Sequence, residues 1–129
     1  MKSPLILLLT CDESFAEAVR QALIGTGAIV LIARDVSDGL QIVSQRGREL
    51  DFALMDFDNG CHGMTLLCAV HTCFEQLPIL VATSKDAEHR NPVACANGAR
   101  ACLNKPLPPA QIAGAISQLT RPDHQAVAA

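Results

Sequence analysis

The sequence predicts a single α/β domain, a doubly wound five-stranded parallel sheet of (βα)5 order. Three observations carry this. Five short apolar runs recur along the 129 residues, and helical spacing of apolar residues fills the gaps between them. The runs are apolar at consecutive positions, as strands covered on both faces must be. Gly25, Gly27, Pro108 and Pro122 punctuate the segments. Repeated strand–helix alternation implies parallel strands joined by crossover helices. The length suits one domain and leaves no room for two.

The first strand is read at residues 5–10, a continuous apolar run. A helix follows over 14–24, with Phe15, Val19, Ala22 and Leu23 on one face and Gly25 and Gly27 as its stop. Residues 28–33 form a second buried strand. Val36, Leu40 and Val43 make the face of a second helix, capped by Asp35 or Ser37. A third strand covers 52–55, between Asp51 and Asp56. A glycine-rich loop over 57–63 leads to a helix over 64–74 with Leu67, Val70 and Phe74 inward. The fourth strand is 79–82 and the short fifth one 101–103. Between them, Asn91 and Pro92 suit a helix start better than a helix interior. The fourth helix is therefore expected to begin near Pro92 and to be short, after an irregular loop over 85–90. Pro108 opens the last helix, with Ile112, Ile116 and Leu119 as its face and Pro122 closing it. The domain is expected to span 1–122, with a flexible tail over 123–129.

Half of the residues are hydrophobic, enough for a full core, and the formal net charge is −3. No basic stretch stands out, which argues against direct nucleic-acid binding. No run is long enough to span a membrane. The apolar run after Lys2 ends at Cys11, as in a lipoprotein signal, but it is too short, and Asp12 and Glu13 follow at once. The spacing of the six cysteines suggests no disulfide framework. Reduced thiols packed as small hydrophobes point to a cytoplasmic protein.

In a doubly wound sheet the working site lies at the carboxyl ends of the strands. Those ends bring Asp12, Asp56, Thr83 and Lys105 to one rim. Clustered carboxylates invite a cation, and all-oxygen ligands favour Mg²⁺ with phosphate oxygens beside it. A carboxylate there can act as a nucleophile toward a phosphoryl group. A hydroxyl and an ammonium can then hold the phosphoryl oxygens.

At this point the sequence resembles the receiver domains of response regulators, which have a flavodoxin-like fold. Four stretches carry the likeness: residues 7–14 (LLLTCDES), 51–56 (DFALMD), 78–84 (PILVATS) and 98–107 (GARACLNKPL). They stand in order at suitable spacing, and the likeness runs over nearly the whole chain, from Leu5 to Leu119. The resemblance implies that Asp56 is the phosphoacceptor and that Asp12 binds Mg²⁺ directly. It implies that the backbone carbonyl of Asp58 is a third ligand, and that Thr83 and Lys105 contact the phosphoryl group. A cis Lys105–Pro106 bond is implied as well. So are a histidine kinase or phosphotransfer protein as donor, an output protein on the face of the fourth helix, fifth strand and fifth helix, and an optional homodimer. The domain would be a switch, not an enzyme.

Four departures stand against the family pattern. Cys11 occupies the place of a second acidic residue, so Mg²⁺ binding should be weak. Gly60 replaces a proline in the loop after Asp56, making that loop more mobile. Cys102 stands where the family has a switch aromatic, in a chain with no Tyr or Trp. Pro92 reshapes the fourth helix. These departures support an alternative, a phosphorylation-independent pseudo-receiver that acts only as a protein-binding module. A Cys11–Cys61 redox pair at the pocket mouth is a further option. A nucleotide- or flavin-binding domain is disfavoured by the acidic, glycine-free loop after the first strand.

Overall fold

A computed structural model of the chain describes residues 3–58, 62–84 and 91–119. The expectations for the loop around Gly60 and Cys61, for residues 85–90, for the Pro122 stop and for the tail 123–129 lie outside the described residues.

Eleven elements alternate along the chain: β1 (Leu5–Leu9), α1 (Glu13–Ala22), β2 (Ile29–Ala33), α2 (Val36–Arg46), a 3₁₀ turn (Gly47–Glu49), β3 (Phe52–Asp56), α3 (Gly63–Cys73), β4 (Ile79–Thr83), α4 (Asn91–Ala96), β5 (Ala101–Asn104) and α5 (Pro109–Leu119). All five strands pair in parallel, in the order β2-β1-β3-β4-β5. The chain reverses its winding direction between β1 and β3, and a crevice opens there at the carboxyl edge.

Alternation within each strand splits the core into two layers. Leu5, Leu7, Leu9, Ala53, Met55, Ile79 and Val81 pack against Val43 of α2, Leu66, Leu67 and Val70 of α3, and Ala94 of α4. Ile6, Leu8, Phe52, Leu54, Leu80 and Ala82 pack against Phe15 and Val19 of α1 and Ile112 and Ile116 of α5. The three inner strands are buried at every position, which accounts for their unbroken apolar runs. Truncating such a residue, Leu54 for example, would cost about 2–5 kcal/mol.

The structure corrects several readings. β2 is an edge strand, half-exposed along most of its length, and not buried on both faces. Leu40 is exposed; α2 instead turns Gly39 and Val43 inward, because Leu66 lies where a Cβ on Gly39 would stand. Asp35, and not Ser37, caps α2 by accepting the Asp38 N–H. The 3₁₀ turn after α2 was not foreseen. The stop after α1 is as expected, with Gly25 and Gly27 at φ +83° and +76°, a region that disfavours other residues.

Candidate functional site

Register places the site. Leu9 of β1 pairs with Met55 of β3, so Thr10 and Asp56 emerge side by side at the central crevice. Thr83 of β4 pairs with Asn104 of β5, and Lys105 follows directly. The cis Lys105–Pro106 bond is present, as the resemblance implied.

Asp56 is fully buried at the end of β3. Its Oδ2 accepts a hydrogen bond from the Thr10 hydroxyl at 2.7 Å, and its Oδ1 accepts from the Asp58 N–H at 2.8 Å. The Lys105 ammonium lies 3.0 Å from that same Oδ1. It also lies 3.5 Å from Asp12 Oδ2 and 3.5 Å from Asp58 Oδ2. Its aliphatic stem is largely covered, and Nζ stands 4.7 Å from the centroid of the Phe15 ring, a cation–π contact.

Asp12 has two tasks. As the N-cap of α1, its Oδ1 accepts from the N–H groups of Ser14 and Phe15 at 2.9 and 3.2 Å. Its Oδ2 faces Lys105. Burial pushes the Asp12 carboxyl up, but the Phe15 N–H, the Lys105 charge and the Ser14 N–H outweigh it and hold it below its ordinary value. For Lys105, burial works to lower the pKa. The hydrogen bond and charge of Asp56, then the charges of Asp58 and Asp12, prevail and raise it. The cluster thus holds three carboxylates against one ammonium, a formal −2. A cleft of about 290 Å³ opens beside it, lined by Asp12, Ser14, Phe15, Ala18 and the stretch from Lys105 to Leu107.

That donor set fits magnesium. It is all oxygen, doubly negative and open to water on one side, the kind of site that takes one or two carboxylates and keeps several waters. Among the described residues there is no closed cage of three side-chain ligands, because Lys105 stands between the carboxylates. The Cys11 thiol turns to the next loop and donates to the Arg34 carbonyl at 2.9 Å. Glu13, next to Asp12, is drawn off by Arg34 at 2.5 Å.

The fifth predicted site residue behaves differently. Thr83 is buried, and its hydroxyl points to Asn91 Oδ1 at 3.2 Å and Asn104 Oδ1 at 3.3 Å. With one proton, it donates to one of them at a time. Asp12, Asp56 and Asp58 are therefore joined through Lys105, while Thr83 is held at the neighbouring strand end.

Sequence reasoning missed three contributors. Thr10 looked like the last residue of an apolar strand, yet its hydroxyl fixes Asp56. Asp58 was expected to offer only its carbonyl, but its carboxylate joins the cluster through Lys105 and accepts the Ser84 N–H at 3.2 Å. Asn91 was read as a helix start and nothing more. A polar residue one step beyond a buried strand at the carboxyl edge was the available signal for Thr10.

The family model of the response regulator receiver domain matches residues 6–117. The chain belongs to that family. Receiver domains are the signalling switches of two-component systems, which places this chain opposite a histidine kinase or phosphotransfer partner. Solved structures agree on the fold. A response regulator receiver domain protein from Clostridium thermocellum superimposes with a TM-score of 0.83 at 19% identity, covering 98% of this chain and 99% of that one. A CheY-like receiver from Methanospirillum hungatei gives 0.82 at 22% identity, covering 99% and 100%. The chemotaxis response regulator CheY4 of Vibrio cholerae gives 0.79 at 22% identity, covering 92% and 99%. No curated protein matches the sequence significantly. Among the described residues of this receiver no helix is long and apolar enough to cross a membrane.

Proposed function

We propose that this receiver is a working phosphoacceptor, modified on Asp56 by a partner histidine kinase or phosphotransfer protein with Mg²⁺ bound. One observation carries the reading: the Lys105 ammonium sits 3.0 Å from Asp56 Oδ1 within a cluster that retains a formal −2. That is the charge a divalent cation neutralises.

The carboxylates of Asp12 and Asp56 and the backbone carbonyl of Asp58 would hold the metal. When bound, it supplies positive charge to the incoming phosphoryl oxygens. The chain's own residues do the rest. The Thr10 hydroxyl holds Oδ2 and keeps the Asp56 carboxylate from rotating. Asp56 attacks the phosphorus of a phosphohistidine; the O–P bond forms, the N–P bond breaks, and the electron pair returns to the imidazole nitrogen. Lys105 leaves Oδ1 and follows the new negative charge as a point donor. Thr83 must leave Asn91 to reach a phosphoryl oxygen, and this rearrangement links the site to α4. The face of α4, β5 and α5 then changes its affinity for an output protein.

Titration with beryllofluoride, a phosphoryl mimic, tests the reading. Saturable binding that requires Mg²⁺ and is lost in Asp56→Asn supports it. The absence of binding at high Mg²⁺ contradicts it.

A further inference from the structure

Two thiols on the α4–β5 face lie together, outside the acidic cluster. Cys95 of α4 is exposed, and Cys102 of β5 is half-buried behind it. Their sulfurs are 3.7 Å apart. A disulfide needs about 2.05 Å, so the two sulfurs stand within about 1.7 Å of bonding distance. The chain between them turns through Gly98 at φ +117° and brings α4 back along β5. Packing as small hydrophobes, the sequence-based reading of these cysteines, does not describe an exposed Cys95.

We propose that Cys95 and Cys102 form a reversible disulfide when the protein meets hydrogen peroxide, which makes this face a redox-modification site. The pair divides the work. Burial first, and the neighbouring Cys95 thiol second, push the Cys102 thiol up to about 12, so it stays protonated and unreactive toward oxidant. Cys95 is the sulfur that solvent reaches. Its thiolate attacks the distal oxygen of the peroxide, the O–O bond breaks, and the leaving hydroxide takes up a proton as water. Cys95 is then a sulfenic acid. Cys102 attacks the sulfenyl sulfur, gives up its proton to the departing hydroxide, and a second water leaves. Two thiols are oxidised by two electrons, and one peroxide is reduced to two waters.

The bond reaches the switch by geometry. Cys102 Sγ lies 3.8 Å from the Asn91 carbonyl, and Asn91 Oδ1 faces the Thr83 hydroxyl. A crosslink from α4 to β5 holds the helix that carries Asn91 in its present place. This inference does not depend on phosphorylation of Asp56.

The test is differential thiol labelling of the full chain. Protein treated with hydrogen peroxide is quenched in acid, unfolded, and alkylated with one mass tag. It is then reduced and alkylated with a second tag, and the peptides are mapped. Cys95 and Cys102 are expected to carry the second tag to equal extent, with Cys68 and Cys73 carrying the first. In Cys95→Ser, Cys102 returns to the first tag. Dithiothreitol before quenching abolishes the pattern. The proposal is overturned if Cys102 carries the first tag in the oxidised parent protein. It is equally overturned if Cys95 is linked to a different cysteine or runs on to sulfinic acid while Cys102 stays reduced.

Discussion

The Thr83 hydroxyl and the Asn91 side chain meet at 3.2 Å, across the gap between the end of β4 and the start of α4. Thr83 is fully buried, so this contact is its alternative to the acidic cluster and not a solvated default. Asn91 opens α4 and stands over the strand end. The start of α4 thus supplies a partner that competes for the Thr83 hydroxyl.

Removing that competitor should favour the phosphoryl-bound state. A neutral hydrogen bond is worth about 0.5–1.5 kcal/mol net, or roughly 2- to 12-fold in affinity. Asn91→Ala is therefore expected to tighten beryllofluoride binding by several fold, with Asn104 limiting the gain because it also faces Thr83. Fluorine NMR or fluoride-electrode titration of parent and variant measures this. Equal affinities would mean that Asn91 does not hold Thr83.

Cys11 leaves the acidic cluster short of one carboxylate. Cys11→Asp adds a charge beside Asp12 and removes the thiol that donates to Arg34. One unit charge about 5 Å from a divalent ion, at an effective dielectric of 20, contributes about 7 kcal/mol before solvation offsets most of it. Magnesium affinity is expected to rise at least tenfold by calorimetry, while metal-free stability falls from added repulsion. An unchanged affinity would place Cys11 outside the reach of the metal.

The pH dependence follows from Lys105 and Asp12. The folded-state pKa of Lys105 is raised, so its contribution is complete below the unfolded value, about 10.4, and is lost as pH climbs through the higher folded value. That of Asp12 is lowered, so its contribution holds above an unfolded value of about 3.9 and is lost as pH falls through the folded one. Urea unfolding of parent and Lys105→Met should show a constant difference between about pH 5 and 10 and a shrinking one above. A difference that grows above pH 10 would reverse the assigned sign.

Most of the architecture could be read from the chain because burial leaves a plain mark. β1, β3 and β4 are covered on both faces, and their consecutive apolar residues say so. β2 read the same way although it lies at the edge, since Val30 and Ile32 pack against helices on one side while pairing with one neighbour only. The site was half legible. Asp12, Asp56 and Lys105 announce themselves as charges at strand ends. Thr10, Asn91 and Asn104 act through hydrogen bonds fixed by register and by where α4 starts, and neither is written in periodicity. The closeness of Cys95 and Cys102 needs the turn at Gly98, where an added Cβ would stand 2.4 Å from the His71 ring. No spacing rule foretells that approach.

The central claim is that Asp56 accepts a phosphoryl group despite Cys11. An intact-mass spectrum after incubation with Mg²⁺ and acetyl phosphate tests it most directly, with Asp56→Asn alongside. One added phosphoryl group in the parent, absent in the variant and absent without Mg²⁺, is the expected result. An unmodified parent at saturating Mg²⁺, or an adduct that persists in Asp56→Asn, would contradict it and leave a receiver that binds its partner without phosphorylation.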